Sequence, residues 1–200
     1  MDFTIWGWRD ERSAVVPPLL PSELNPRQKN LYEEMKAGVE AKYQDFVTMR
    51  QDGAFLGPWN AWLHQPEVGE AFWALTKAIT AFRHLDDEVR QVVIIAVGAH
   101  FGAAYEVYGH SAVAKARHDM SDARLSTLSA GERPSDLTEP ETAALDVVNA
   151  LLKGGPLPDR VYTNATPLFG EWGIRELIWL IGHYCSVSVI LNGFGISIPE

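Results

Sequence analysis

Apolar residues recur at helical spacing along most of this chain. The clearest run has spacings of four, three, four and three residues and comprises Val68, Phe72, Leu75, Ile79 and Phe82. These spacings place the five side chains on one face of an amphipathic helix. No segment shows the sustained alternation of apolar and polar residues that is typical of strands. The pattern therefore predicts an all-α fold.

Capping residues and breaks in the pattern indicate where the predicted helices begin and end. Asn25-Pro26 combines a cap residue with proline at the first helical position, and Thr138 with Glu141 forms a capping box. Residues 54–65 (AFLGPWNAWLHQ) show no helical period and are predicted to be irregular. We expect helices over residues 26–51, 66–82, 86–120 with a break near 100–102, 121–128, 138–153, 158–169 and 171–190.

The first 25 residues are predicted to form an extended arm. The stretch VVPPLLPSEL within it contains three prolines and has no helical period. This composition favours an extended or polyproline conformation lying against another surface, such as a neighbouring subunit. Residues 26–200 are long enough for one sizeable core, and we predict that they form a single all-α domain.

The longest helical stretch, residues 86–120, carries Glu106 and His110 on an otherwise apolar face. The two residues are four apart, so they lie one helical turn from each other. A carboxylate beside an imidazole can transfer protons at neutral pH, whereas a surface ion pair of this kind contributes only a few tenths of a kcal/mol. Their neighbours are small and apolar, a costly setting for an unpaired charge: Ala99, Gly102, Ala103, Val107 and Ala114. The pattern leaves open a functional pair or a structural one.

Charge and composition exclude several classes of function. The net charge is −9 and no basic run occurs, which argues against nucleic acid or an anionic membrane surface as a partner. The start of the chain lacks the pattern of a secretory signal. The most apolar stretch, residues 174–198, is interrupted by Glu176, His183, Asn192 and three glycines. We therefore expect a cytoplasmic protein.

No cofactor or metal is predicted. Cys185 is the single cysteine, so one chain holds no disulfide, cysteine zinc cluster or dithiol pair. The spacings of His100, His110 and His118 match no ligand motif on one helical face. His183 and Cys185 lie in an apolar helical stretch, where a hydrogen-bonded histidine and an inert thiol are the expected interpretations.

Four stretches, in this order and spacing, resemble the carboxymuconolactone decarboxylase-like family, which includes the alkylhydroperoxidase D-type proteins. They are GPWNAWLHQPEVGEAF, LDDEVRQVVIIAV, AYEVYGH followed by SAVAKARHDMSD, and GHYCSVSVILNGFGI. The resemblance extends from about Val16 to Ile198. It implies an all-α, alkylhydroperoxidase D-like fold of about six to eight helices. It also implies a homo-oligomer, a trimer or a hexamer, with sites close to subunit contacts.

Two branches of that family differ on the central helix. The alkylhydroperoxidase branch carries C-x-x-C-x-x-x-H with an upstream glutamate, and the matching positions here are Ala103, Glu106, His110 and Gln91. Without the two cysteines, this helix cannot run a thiol–disulfide cycle.

The decarboxylase-like branch, which lacks the CxxC, carries a Y-E-W-x-x-H type motif. Tyr105, Glu106 and His110 match it, while Val107 replaces the aromatic residue and Gln91 replaces the upstream glutamate. The chain therefore resembles this branch, with one proton-carrying group fewer than its pattern.

The resemblance implies a cofactor-free lyase that transfers a proton. Its expected reaction is decarboxylation of a small anionic carboxylated lactone or keto acid in aromatic-compound catabolism. His110 would donate or accept the proton, and Glu106 would hold its tautomer. Gln91 would bind a substrate oxygen, and further pocket walls are expected from Trp59, Asn60, His64 and Tyr105.

Two alternatives remain open at this point. In the first, the chain is a non-catalytic oligomeric binding or scaffold protein, and Glu106 and His110 form a mutually satisfied pair that holds helices in register. In the second, it is a peroxidase-like oxidoreductase that acts through Cys185 and an intersubunit partner. A pocket beside His110 with room for a small acid would favour the decarboxylase, and a closed, packed pair would favour the scaffold.

Overall fold

A computed structural model describes residues 15–199, so the first 14 residues of the predicted arm lie outside the described range. Over this range the chain forms a short 3₁₀ helix (Pro21–Glu23) and the helices α1 (Pro26–Lys42), α2 (Gly57–His64), α3 (Pro66–Thr80), α4 (Asp87–Phe101), α5 (Ala104–His118), α6 (Asp122–Ser129), α7 (Glu139–Leu152) and α8 (Asp159–Gly193). It contains no strand, only an isolated bridge between Met49 and Phe55. The all-α prediction is confirmed.

Helix α4 lies at the centre of the molecule and packs against α5, α6, α7 and α8. One apolar core fills the space between α4, α7 and the far half of α8. A second core, rich in aromatic side chains, lies between α1, α2, α3 and the end of α8. Residues at the start of α5 contact this second core through Ala103 and Tyr105.

The break predicted near residues 100–102 is confirmed at Gly102. This residue ends α4 in the left-handed conformation, with φ 64° and ψ 29°, which glycine adopts at little cost. Its backbone N–H donates to Ala99, and that of Ala103 donates to Gly98. The chain then enters α5, so Glu106 lies in the first helical turn and His110 one turn further on.

Residues 54–65 are not irregular, which corrects the prediction. Gly57–His64 form α2, which begins with Pro58 in its first turn. All residues from Gly57 to Leu63 are buried. A helix that is buried on every side has no polar stripe, so its period cannot be recognised in the sequence.

Two further details differ from the prediction. Helix α1 ends at Lys42, well before residue 51, and residues 43–56 form a connecting segment to α2. The buried face of α3 runs through Gly69, Trp73, Thr76 and Ile79, whereas Val68 and Leu75 are exposed. At Gly69 a Cβ atom would overlap the carbonyl of Trp62. The close crossing of α2 and α3 at this glycine therefore turns the neighbouring face inward.

Helix α8 consists of two helical segments that meet at Gly170, where φ is 66° and ψ is 175°. The predicted boundary between the helices over 158–169 and 171–190 lies at this residue. By length and composition α8 is the one helix in residues 15–199 that could cross a membrane, and 44% of its most apolar window is buried in the protein. More than half of that window is therefore at the surface.

Candidate functional site

Glu106 and His110 form a closed pair at the start of α5. His110 Nε2 lies 3.1 Å from Glu106 Oε1, and the side chains are only 12% and 5% exposed. A buried carboxylate with an imidazole at hydrogen-bond distance can hold a proton on either group. The pair therefore has the geometry that acid–base chemistry requires.

Gln91 on α4 lies on the other side of the imidazole. Its Oε1 is 2.8 Å from His110 Nδ1. In this orientation the amide oxygen can only accept, so Nδ1 carries a hydrogen and both ring nitrogens of His110 can donate. With the amide turned over, its NH₂ group would donate to Nδ1 and His110 would be neutral. A glutamine suits both protonation states of the histidine, which an ionised glutamate would not.

A cavity of about 40 Å³ lies beside the pair. Its lining includes the charged and polar side chains of Thr76, Glu106, His110 and His183, and the rings of Tyr43, Phe46, Trp59, Trp62, Tyr105 and Tyr184. Since one molecule of liquid water occupies about 30 Å³, a ring-sized ligand requires the walls to move. The aromatic lining suits a flat, apolar ligand body.

Tyr105 holds the connecting segment 43–56 over this cavity. Its hydroxyl donates to the carbonyl of Val47 at 2.9 Å, and the hydroxyl of Tyr108 accepts from the Val47 N–H at 3.1 Å. Burial raises the pKa of Tyr105 well above its ordinary range, so the phenol stays protonated. Tyr105 lines the cavity and positions its roof.

His183 on α8 is a cavity residue that the sequence interpretation assigned to the core or an interface. Tyr184 contacts both imidazoles edge-on, with ring centroids 5.1 Å from His110 and 5.1 Å from His183. Burial lowers the pKa of His183 to about 4, so this ring is neutral at physiological pH. Its position in an apolar stretch of helix gave no indication of the cavity.

The other predicted wall residues are placed differently. Trp59 lines the cavity, but Asn60 and His64 do not. The Asn60 amide bonds to the backbone of Val16, Pro17 and Leu19, and His64 Nε2 lies 2.8 Å from the Pro17 carbonyl. Both therefore tie the residues before α1 to α2. Gln91 is also outside the lining, because His110 lies between it and the cavity.

Neither a metal cluster nor a reactive thiol accompanies the site. Among residues 15–199, no three His, Cys, Asp or Glu side chains are grouped so that they could hold a metal ion. Cys185 lies half-buried on α8, and burial raises the pKa of its thiol, which disfavours the thiolate.

Comparison with known families gives the relationship of the chain. Residues 66–150, from α3 into α7, match the model of the carboxymuconolactone decarboxylase family. The chain belongs to the carboxymuconolactone decarboxylase and alkylhydroperoxidase D-like superfamily. The matched range contains Gln91, Glu106 and His110, while Trp59 and His183 lie outside it.

Solved structures share the fold of this superfamily member. A peroxidase-related protein from Ralstonia eutropha with an alkylhydroperoxidase AhpD core has a TM-score of 0.75 and 13% identity, covering 94% of this chain and 93% of its own. A protein of unknown function from Agrobacterium tumefaciens has 0.62 and 24%, covering 70% and 97%. The debrominase Bmp8 in complex with 2,3,4-tribromopyrrole has 0.70 and 19%, covering 96% and 95%. No curated protein matches the sequence. The alkylhydroperoxidase D-like fold is confirmed.

Proposed function

We propose that this superfamily member is a cofactor-free acid–base enzyme that decarboxylates a small carboxylated lactone or keto acid of aromatic-compound catabolism. The observation that carries the proposal is the buried chain of contacts from Gln91 through His110 to Glu106. It keeps an exchangeable proton next to a cavity with aromatic walls. General acid–base catalysis of this kind typically contributes about 10²–10⁴ to the rate.

In the proposed reaction the carbon–carbon bond to the carboxylate breaks and carbon dioxide leaves. The electron pair that remains is accepted by the conjugated carbonyl as a dienolate. The proton shared by His110 and Glu106 is then transferred to the substrate carbon, and solvent replaces it. One carboxylate and one proton are consumed, and one carbon dioxide and one C–H bond are formed. No electron acceptor is required.

Separate replacement of the two residues tests this assignment. Glu106→Gln and His110→Gln preserve the approximate shape of each side chain but remove its proton-transfer chemistry. We expect each variant to lose about 10²–10⁴-fold in turnover of carboxylated lactones, measured as carbon dioxide release. His100→Gln, at the exposed end of α4, is the matched control and should retain activity. Turnover within about threefold of the parent in both test variants would show that the roles are wrong.

The size of the cavity favours a second candidate, a non-catalytic binding or scaffold protein. A space of about 40 Å³ does not hold a small acid without movement of its walls. In that case Glu106 and His110 would only hold α4 and α5 together. NMR of the histidine rings during a screen of small carboxylates distinguishes the two candidates. A ring that responds to none of them would favour the scaffold.

Peroxidase chemistry has little support in this chain. The superfamily positions for the two cysteines hold Ala103 and Glu106, and Cys185 is the single cysteine. A dithiol cycle would require a second chain, and the raised pKa of Cys185 disfavours its reactive form.

We also propose that the protein forms a homo-oligomer, a trimer or a hexamer, in the cytoplasm. The support is an apolar face on the far half of α8 that no described part of the chain covers. Its exposed residues recur at spacings of three and four: Trp172, Arg175, Trp179, Gly182, Ser186 and Val189. Exposed apolar faces of this kind mark interaction surfaces.

A further inference from the structure

One ring nitrogen of His183 has no partner although it is buried. Only 5% of this residue is exposed, and its Nδ1 makes no hydrogen bond within residues 15–199. The other nitrogen, Nε2, lies 3.3 Å from Thr76 Oγ1. An unsatisfied polar atom in an interior is costly, so such an atom calls for a ligand or a water.

Thr76 determines the tautomer of His183. The threonine hydroxyl donates its one hydrogen to the carbonyl of Phe72 at 2.8 Å, as threonines within helices commonly do. Its oxygen can therefore only accept from His183, which places the hydrogen of the neutral ring on Nε2. Nδ1 consequently carries a lone pair and is a hydrogen-bond acceptor without a donor.

Two indole N–H groups near the same cavity are in the complementary situation. Trp59 and Trp62 are each 4% exposed, and Nε1 of each lacks an acceptor in the described part of the chain. Both residues line the cavity together with His183, Glu106 and His110. The cavity wall therefore supplies one free acceptor and two free donors beyond the pair that carries the proposed proton transfer.

A single hydroxyl group would satisfy both kinds of atom, because it donates one hydrogen bond and accepts others. A ring N–H would satisfy the acceptor alone. The aromatic walls suit a flat ring as the body that bears this group. The lining contains no lysine or arginine, so the part of the ligand near His183 is expected to be uncharged.

Space for such a ring is available on the far side of the roof. Tyr43 and Phe46 line both the cavity and a second hollow of about 310 Å³, which residues 39–49 surround. A movement of these two side chains would join the spaces. They lie in the connecting segment 43–56 and are only half-buried.

We propose that His183 is a substrate-binding residue whose Nδ1 accepts a hydrogen bond from an O–H or N–H group on a planar ring substrate. Trp59 and Trp62 donate to an oxygen of the same ligand. This inference rests on the proposed function, because it names the class of compound that the acid–base pair would act on. It assigns His183 a role in selecting the substrate and leaves the proton transfer to His110.

Binding of matched probe pairs tests the proposal without turnover. Phenol donates a hydrogen bond and anisole does not, and pyrrole and N-methylpyrrole form the second pair. Loss of the donor leaves Nδ1 unpaired, so we expect phenol to bind at least about tenfold more tightly than anisole. The pyrrole pair shows whether an N–H serves as well as an O–H. Tryptophan fluorescence and ¹⁵N NMR of His183 follow the binding.

Variants assign the discrimination to the nitrogen. In His183→Leu the phenol and anisole affinities should come within about twofold of each other. In His183→Asn, whose Oδ1 can lie near the position of Nδ1, most of the preference should remain. His110→Gln should keep the preference while losing turnover, which separates failure of this inference from failure of the proposed function. A melting temperature for each variant checks that it folds.

Several results would overturn the inference. They are equal binding of phenol and anisole by the parent protein, no binding of either at millimolar concentration, or loss of the preference in His183→Asn as well as in His183→Leu. A ¹⁵N spectrum of the unmodified protein that shows the hydrogen of His183 on Nδ1 would also contradict it.

Discussion

At the scale of single residues, the amide of Gln91 has the largest consequence for the chemistry. It lies against Nδ1 of His110 while Glu106 lies against Nε2. A carboxylate in place of the amide would surround the imidazole with two negative charges and favour its doubly protonated form. The neutral amide leaves His110 free to gain and to lose a proton.

The variant Gln91→Glu tests this role. We expect the His110 ring to remain doubly protonated to a pH about 1–3 units higher than in the parent, as followed by ¹⁵N NMR. The protonation step should slow, because the imidazolium holds its proton more tightly. Gln51→Glu adds the same charge at an exposed position and should leave the ring unchanged. No change in Gln91→Glu would mean that the new carboxyl is itself protonated.

At the scale of elements, the cavity depends on how closely α2 approaches α5. Gly57 begins α2 with φ +61°, and a Cβ atom at this position would overlap the ring of Tyr105. Tyr105 in turn holds the segment 43–56 through the carbonyl of Val47. The glycine therefore allows the tyrosine to occupy the space from which it positions the cavity roof.

The variant Gly57→Ala should reduce the free energy of unfolding by more than a simple backbone effect. The left-handed conformation alone costs a non-glycine residue about 1–2 kcal/mol. The overlap with Tyr105 should add about 1–3 kcal/mol. Gly131→Ala provides the comparison, because φ is +75° there and no atom lies within 4 Å of the added Cβ. Urea unfolding of both variants measures the difference. Equal losses would show that the Tyr105 contact relaxes without cost.

At the scale of the whole molecule, the far half of α8 serves two environments. Its inner residues, such as Leu177 and Leu180, are fully buried in the core, whereas Trp172 and Trp179 are each 63% exposed. Large aromatic residues contribute strongly to protein interfaces. We therefore expect the exposed face of α8 to contact other copies of the chain.

The variant Trp179→Glu should dissociate the proposed oligomer, because it places a charge in an apolar interface. Multi-angle light scattering after size-exclusion chromatography should then show the molar mass of a single chain. Tyr162→Glu, at an exposed position on the near half of α8, should leave the assembly intact. An unchanged mass in Trp179→Glu, or a parent protein that is already monomeric, would contradict this prediction.

The elements that could be predicted from the sequence are those with a local cause. The capping box of Thr138 and Glu141 and the break at Gly102 depend on residues within a few positions of one another. The same is true of the separation of Glu106 from His110 by one turn, since helical geometry alone determines it. The buried helix α2 was missed because burial on all sides removes the polar stripe.

By itself, the sequence therefore determined the all-α architecture, the helix boundaries with capping signals, and the acid–base pair on one face of α5. Only the tertiary structure decided what surrounds that pair. It showed that Gln91 contacts His110, that Asn60 and His64 bind the residues before α1, and that His183 lies across the cavity. The physical reason is sequence distance: these contacts join residues 19 to 107 positions apart, for which no local pattern exists.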